Sequence, residues 1–151
     1  QKTFARIMCL KDGKKKMSKS DPSDLSRVNL NDSKDVIINK IKKAKTDDKS
    51  MPQDNKNLNQ RPEVENLLGI YSSLADQKLE KTINEFSGKN FSEFKTKLSE
   101  MVVEKISPIS TEINKLQEDK EFIDKILRDG SEKANEIASK KIGELKKIVG
   151  F

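Results

Sequence analysis

The chain has 151 residues and a formal net charge of +6; 32% of its residues are apolar, 37% are charged, and it holds one Tyr, one Cys and neither His nor Trp. Without an imidazole, a Ser-His-Asp triad and a histidine metal site are excluded, and the lone Cys9 excludes an internal disulfide or a four-cysteine zinc site. No apolar run approaches the roughly 18 residues of a membrane span, and no apolar stretch of signal-peptide type opens the sequence, so no membrane association and a cytoplasmic setting are expected.

In chain order, Thr3 to Leu10 is short and mostly apolar, and Ala5 to Leu10 reads as a buried strand that ends at the turn signal Asp12-Gly13. Residues 11–27 are polar and turn-rich, broken at Asp21-Pro22-Ser23-Asp24, and read as a loop; Val28 to Leu30 forms a short extended piece. Six helices are expected after that. The first starts after Ser33, a good N-cap, runs to about Lys45, and places Ile37, Ile41 and Ala44 on one face. Thr46 to Gln60 reads as a long exposed loop. Pro62 suits a first helical position, and Val64, Leu67, Leu68, Tyr71, Leu74 and Ala75 then repeat with helical spacing.

A shorter helix covers Leu79 to Phe86 and stops at Gly88. Asn90 followed by Glu93 resembles a capping box and opens a helix through Phe94, Leu98, Met101, Val102, Ile106, Ile109, Ile113 and Leu116. Pro108 predicts a kink in it. Asp119 caps a fifth helix that Gly130 stops, and a sixth presents Ala134, Ile137, Ala138, Ile142, Leu145, Ile148 and Val149. Residues 34–151 are expected to bury a helical core of their own. Met101 is most simply core, and Cys9 a small buried hydrophobe.

The charge is uneven. Residues 1–60 hold 15 basic and 8 acidic side chains, whereas residues 61–151 hold 16 and 17, so the positive excess lies wholly in the first 60. A field of that sign attracts phosphate. Its centre is Lys14-Lys15-Lys16-Met17-Ser18-Lys19-Ser20-Asp21-Pro22, which sets lysines and hydroxyls on a turn beside a strand end. Lysine is a compact charge on a long stem and meets polyphosphate well; serine hydroxyls and loop N–H groups donate to the same oxygens. Such a run is also often a plain solvated basic loop.

The residues carry a resemblance. Lys16-Met17-Ser18-Lys19-Ser20 is the full KMSKS signature of class I aminoacyl-tRNA synthetases. With Arg6 to Leu10, Asp12-Gly13 and the run to Pro22, it resembles the bacterial tryptophanyl-tRNA synthetases. Arg61 to Val64, Asn66 to Leu68, Ile70-Tyr71, Phe94-Lys95, Val103-Glu104, Pro108-Ile109, Gly130 and Lys133-Ala134 extend the likeness along the chain.

The resemblance implies a mostly α chain. Residues 1–33 would be the end of a truncated Rossmann-type nucleotide-binding domain with its last strand and KMSKS loop, and residues 34–151 an α-helical anticodon-binding region. It implies activation of tryptophan with ATP, supplied with Mg2+ as a substrate complex, and transfer to the tryptophan tRNA, with no permanently bound cofactor and no metal site. Lys16 and Lys19 would meet the ATP phosphates and the leaving pyrophosphate. Met17 would lie near adenine, Ser18 and Ser20 would shape the loop, and Ile7 would line the adenine site; a plain core residue is the alternative for Ile7. Lys14 and Lys15 would be solvated or tRNA-facing.

Lys40, Lys42, Lys43 and Lys45 cluster near the end of the first helix. Lys42, Lys43 and Lys45 are candidates for tRNA phosphate contact, with a solvated helix end as the alternative. The His-x-Gly-His-type motif, the tryptophan pocket and the expected homodimer contact would lie in a preceding part, so this chain alone is expected to be inactive. A non-catalytic tRNA-binding helical module and a helical scaffold with a basic arm are the competing readings.

Overall fold

The computed structural model describes residues 6–150; Ala5, where the first strand is expected to start, lies outside the described residues. The elements are strands β1 (Met8–Cys9) and β2 (Asp12–Lys16), followed by helices α1 (Lys34–Lys42), α2 (Pro62–Leu74), α3 (Leu79–Phe86), α4 (Phe91–Glu118) and α5 (Lys120–Val149). Short 3-10 turns occupy Asp24–Ser26 and Leu58–Gln60. No described helix is long and apolar enough to cross a membrane.

The expected strand is therefore one arm of a hairpin. β1 pairs antiparallel with β2, Met8 opposite Lys16 and Cys9 opposite Asp12, with an irregularity between Met8 and Cys9. Lys14 to Lys16, expected in a loop, are strand residues with exposed side chains. A lysine run has little strand propensity; here the pairing with β1 imposes it. The turn falls at Leu10-Lys11, and Asp12-Gly13 begins β2 instead. Gly13 serves a different need. A Cβ there would sit 2.5 Å from the Glu63 nitrogen and closer still to the Pro62 carbonyl carbon, so the hairpin lies directly on the first turn of α2.

The helical elements form for reasons the sequence carries. The Ser33 hydroxyl accepts from the Val36 N–H at 3.4 Å and caps α1, and Asn90 Oδ1 accepts from the Glu93 N–H at 2.8 Å, a cap worth about 1 kcal/mol. α2 sinks Val64, Leu67, Leu68 and Tyr71. Around them lie Leu10, Ile37, Ile41, Ile83, Phe86, Phe94, Leu98 and Val102, with Met101 packed at the edge. Tyr71 and Phe86 meet edge-on at 4.9 Å, as do Phe86 and Phe94. The segment 46–60 is not simply exposed, because Met51 and Leu58 are buried in the same cluster.

The C-terminal half departs from expectation. The chain divides into two compact units, residues 1–111 and 112–151. The core of the first includes Leu10, so it is not confined to residues 34 onward. α4 is the single helix expected through Phe94 to Leu116, with Pro108 inside it. The fifth and sixth expected helices are one helix: α5 runs through Gly130, which lacks a positive φ. An interior glycine costs a helix only about 1 kcal/mol, which is not enough to end it. Asp119 caps it as expected, accepting from the Phe122 N–H at 3.0 Å. No residue of α5 is buried; helical periodicity reports an apolar face but not what covers it.

Candidate functional site

The segment Lys16 to Ser20 leaves the end of β2. Its root is held firmly. The Met17 N–H donates to the Ile7 carbonyl at 3.0 Å, and the Met17 side chain packs against the core. β1 needs a second neighbour, since a two-stranded hairpin is marginal alone. Asn66 supplies one: its Oδ1 accepts from the Met8 N–H and its Nδ2 donates to the Met8 carbonyl, both at 2.9 Å. The Leu10 N–H donates to the Ser26 carbonyl, and the Leu10 carbonyl accepts from the Lys45 N–H, each at 2.8 Å. Cys9 is buried, as expected, and its Sγ accepts from the Lys11 N–H at 3.3 Å.

Beyond Met17 the side chains face solvent. Ser18 and Ser20 share a hydroxyl–hydroxyl hydrogen bond of 2.9 Å, and the Ser20 N–H donates to Ser18 Oγ at 3.3 Å. The Asp21 N–H closes the turn on the Ser18 carbonyl at 3.3 Å. Lys16 is exposed at the end of β2 and Lys19 is exposed within this turn, and among the described residues neither ammonium is within ion-pair distance of a carboxylate. Lys15 does face Asp12, at a loose 3.8 Å. Ile7 is 47% exposed in this chain.

The other lysines sort differently. Lys40, grouped by sequence with phosphate-facing candidates, is buried: its Nζ lies 2.7 Å from both Asp24 Oδ2 and Asp32 Oδ2, and its side chain is 2% exposed. It is unavailable to a polyanion. The bond from Lys40, and after it one from Asn29, holds the Asp24 carboxyl below the usual range. Lys45 has an exposed side chain, but its Nζ is 2.9 Å from Glu63 Oε1. That bond raises the Lys45 ammonium and lowers the Glu63 carboxyl, so each holds the other charged. Lys42 and Lys43 are exposed, with no ion pair among the described residues.

Several structural partners were missed by sequence reasoning. Asn66 had no signal beyond its place on α2 and in the family likeness, neither of which gave its partner. Lys95 donates to the Ala44 and Lys42 carbonyls at 2.6 and 3.3 Å, satisfying the end of α1, and burial lowers its ammonium. Arg61 grips Asp47 through Nε and Nη2 at 2.6 and 2.7 Å and the Ser50 carbonyl at 2.9 Å, fixing segment 46–60; its bond is the main reason the Asp47 carboxyl is lowered.

A family profile described as tRNA synthetases class I (W and Y) matches residues 1–141. Among curated proteins, the tryptophan–tRNA ligase of Rhizobium meliloti is 51% identical over 146 residues, covering 97% of this chain and 41% of that protein. The tryptophan–tRNA ligase of Rickettsia felis is 49% identical over 149 residues, covering 99% of this chain and 44% of that protein. The chain thus spans about two fifths of the length of the curated relatives it matches. Among solved structures, tryptophanyl-tRNA synthetase from Mycoplasma pneumoniae matches with a TM-score of 0.69 at 27% identity, over 97% of this chain and 44% of that one. The enzyme from Campylobacter jejuni complexed with ADP and tryptophan matches with a TM-score of 0.76 over 100% of this chain and 45% of that one; at 21% identity this is a likeness of fold.

Proposed function

Since this chain belongs to the class I tRNA synthetases of the W and Y group, we propose that it is the C-terminal part of a tryptophan–tRNA ligase. Residues 1–33 are then the end of the Rossmann-type catalytic domain with the KMSKS loop, and residues 34–151 the helical region that meets the anticodon part of the tRNA. The whole enzyme joins ATP, carried with Mg2+, to tryptophan, then passes the tryptophanyl group to its tRNA; it works in the cytoplasm as a homodimer. This chain alone holds neither the tryptophan pocket nor the rest of the nucleotide site and is inactive by itself.

The observation that carries the catalytic reading is the state of the KMSKS lysines. Lys16, at the end of β2, and Lys19, on the turn that follows, stand exposed and unpaired among the described residues, with the backbone fastened at Met17 and at Asp21. In adenylyl transfer the tryptophan carboxylate attacks the α-phosphorus of ATP. The new P–O bond forms as the bond to the β-phosphate oxygen breaks, and its electron pair leaves with pyrophosphate. Charge therefore builds on the leaving group in the transition state. Ammonium groups aimed there lower the barrier more than they strengthen ATP binding. Met17 and Ile7 flank the adenine, while Ser18 and Ser20 supply donors and hold the turn's shape. Exposed, unpaired Lys42 and Lys43 are the better candidates for tRNA phosphates; Lys45 must first give up Glu63.

In the complete enzyme, Lys19→Ala slows ATP–pyrophosphate exchange by on the order of 10²–10³-fold, as loss of one transition-state charge partner does elsewhere. An unchanged exchange rate defeats the phosphate role of Lys19.

A further inference from the structure

The KMSKS turn is fastened just past its end by a group of side chains that the proposed chemistry does not use. Arg27 Nη1 donates to the Asp21 carbonyl at 3.0 Å and to the Ser23 carbonyl at 3.3 Å. Its Nε donates to Asn29 Oδ1 at 3.0 Å, and Nη2 lies 3.2 Å from Asp24 Oδ1. The other oxygen of Asp24 meets Lys40, which is buried on α1 and also holds Asp32. Asp32 is fixed in turn by the Asn29 N–H at 2.8 Å and Asn29 Nδ2 at 3.2 Å. A continuous polar chain thus runs from the exit of the loop to the buried face of α1.

A loop that is merely solvated needs no such device. Burying an ammonium carries a desolvation penalty that only close, well-directed partners offset. What this arrangement fixes is the Asp21 and Ser23 backbone. Asp21 is two residues from Lys19, and its N–H closes the turn on Ser18. The Arg27 fork makes four contacts at once, a pattern that a lysine's single point of charge cannot copy.

We propose that Arg27, itself held by Asp24 and Lys40, is a positioning residue that sets where the Lys19 ammonium rests when adenylyl transfer begins. The inference rests on the phosphate role given to Lys19 above. Arg27 touches none of the reacting groups; it acts through the Asp21 carbonyl. The effect on rate follows because charge stabilisation depends on placement, and a displacement of about 1 Å costs up to roughly 10²-fold.

The test is a double-mutant cycle in the complete ligase, read by ATP–pyrophosphate exchange. Arg27→Gln is expected to lower kcat about tenfold with the KM for tryptophan unchanged. In a Lys19→Ala background the same substitution is expected to cost less than about twofold, since the group it positions is gone. Tryptic cleavage after Lys19 in the native protein is expected to quicken with Arg27→Gln. Arg27→Lys, which keeps the charge beside Asp24 and guards against a folding failure, is expected to lose part of kcat at an unchanged thermal midpoint. Equal losses from Arg27→Gln in both backgrounds, or no loss in either, overturn the inference while leaving Lys19 its role. If Lys19→Ala itself leaves exchange unchanged, the phosphate reading falls and takes this inference with it.

Discussion

Replacing Lys40 by methionine isolates the energetic weight of the one fully buried charge among the described residues of the first unit. The ammonium lies 2.7 Å from Asp24 Oδ2 and from Asp32 Oδ2. For the half-enclosed Asp32 pair the Coulomb attraction is roughly 6 kcal/mol at an effective dielectric near 20, and desolvation of the ammonium cancels much of it. The cost of the substitution is set instead by what it strands. Asp24 is 58% exposed and returns to water, so it contributes no penalty to the sum. Asp32, 9% exposed, loses its cation but keeps two donors from Asn29.

Removing one partner of a buried pair costs about 3–5 kcal/mol in general; with Asn29 still bonded to Asp32, about 2–3 kcal/mol is expected here. Methionine fills most of the lysine stem, so little cavity penalty is added. Urea unfolding followed by helical circular dichroism measures the loss. Asp32→Asn added to Lys40→Met is expected to recover about 1–2 kcal/mol, since no buried carboxylate is then stranded. In the single variant, the Asp24 carboxyl, held below 3.8 chiefly by Lys40, should titrate higher by NMR. A loss under about 0.5 kcal/mol, or strictly additive costs in the double variant, refutes the assignment of Lys40 as a buried structural cation.

Gly13→Ala is expected to destabilise by about 1–3 kcal/mol, the usual penalty for overpacking, because its Cβ would meet the backbone of Pro62 and Glu63 rather than a yielding side chain. Faster tryptic cleavage at Lys14 to Lys16 should accompany it, and unchanged stability and cleavage would mean that the hairpin does not rest on α2. The single tyrosine, Tyr71, is expected to ionise at about 12 rather than 10 in the ultraviolet titration of the folded chain, chiefly through burial and then through its hydrogen bond to Glu85. The unfolded chain then releases this proton first. The resulting stability is full below about pH 10 and is lost as the pH rises toward 12; Tyr71→Phe should remove that part of the alkaline decline.

How much of this was legible in the sequence depends on whether the governing interaction was local. α2 and α3 match their expected spans because their start and stop signals and their apolar spacing lie within one stretch: Pro62 at the first turn, Leu79 to Phe86 ending before Gly88. The caps at Ser33, Asn90 and Asp119 are likewise contacts across three residues. The misreadings involve partners far along the chain. Gly13 looked like a turn because glycine permits turns, yet it is needed for the approach of Pro62, 49 positions away in the sequence. β2 exists because β1 pairs with it, and β1 in turn depends on Asn66. Met51 and Leu58 are isolated apolar residues in a polar stretch, so no periodicity betrays their burial.

The same distinction bears on the site. Composition places an excess of basic charge in the first 60 residues, and any lysine there is a candidate for phosphate. Availability separates them. An ammonium already bonded to a carboxylate must surrender that bond before it can answer charge developing on a leaving group, so part of its stabilisation is spent in the ground state. Lys40 and Lys45 are in that position, with Asp24, Asp32 and Glu63 as their partners. Lys16 and Lys19 have no such partner among the described residues, while the backbone on either side of them is tied to Ile7 and Arg27. Free charge on restrained backbone is what preorganised stabilisation requires. Lysines only a few dozen residues apart therefore differ in kind: Lys40 on α1 and Lys45 beside α2 are bonded to carboxylates, whereas under the proposed function those of the loop keep their charge for the substrate.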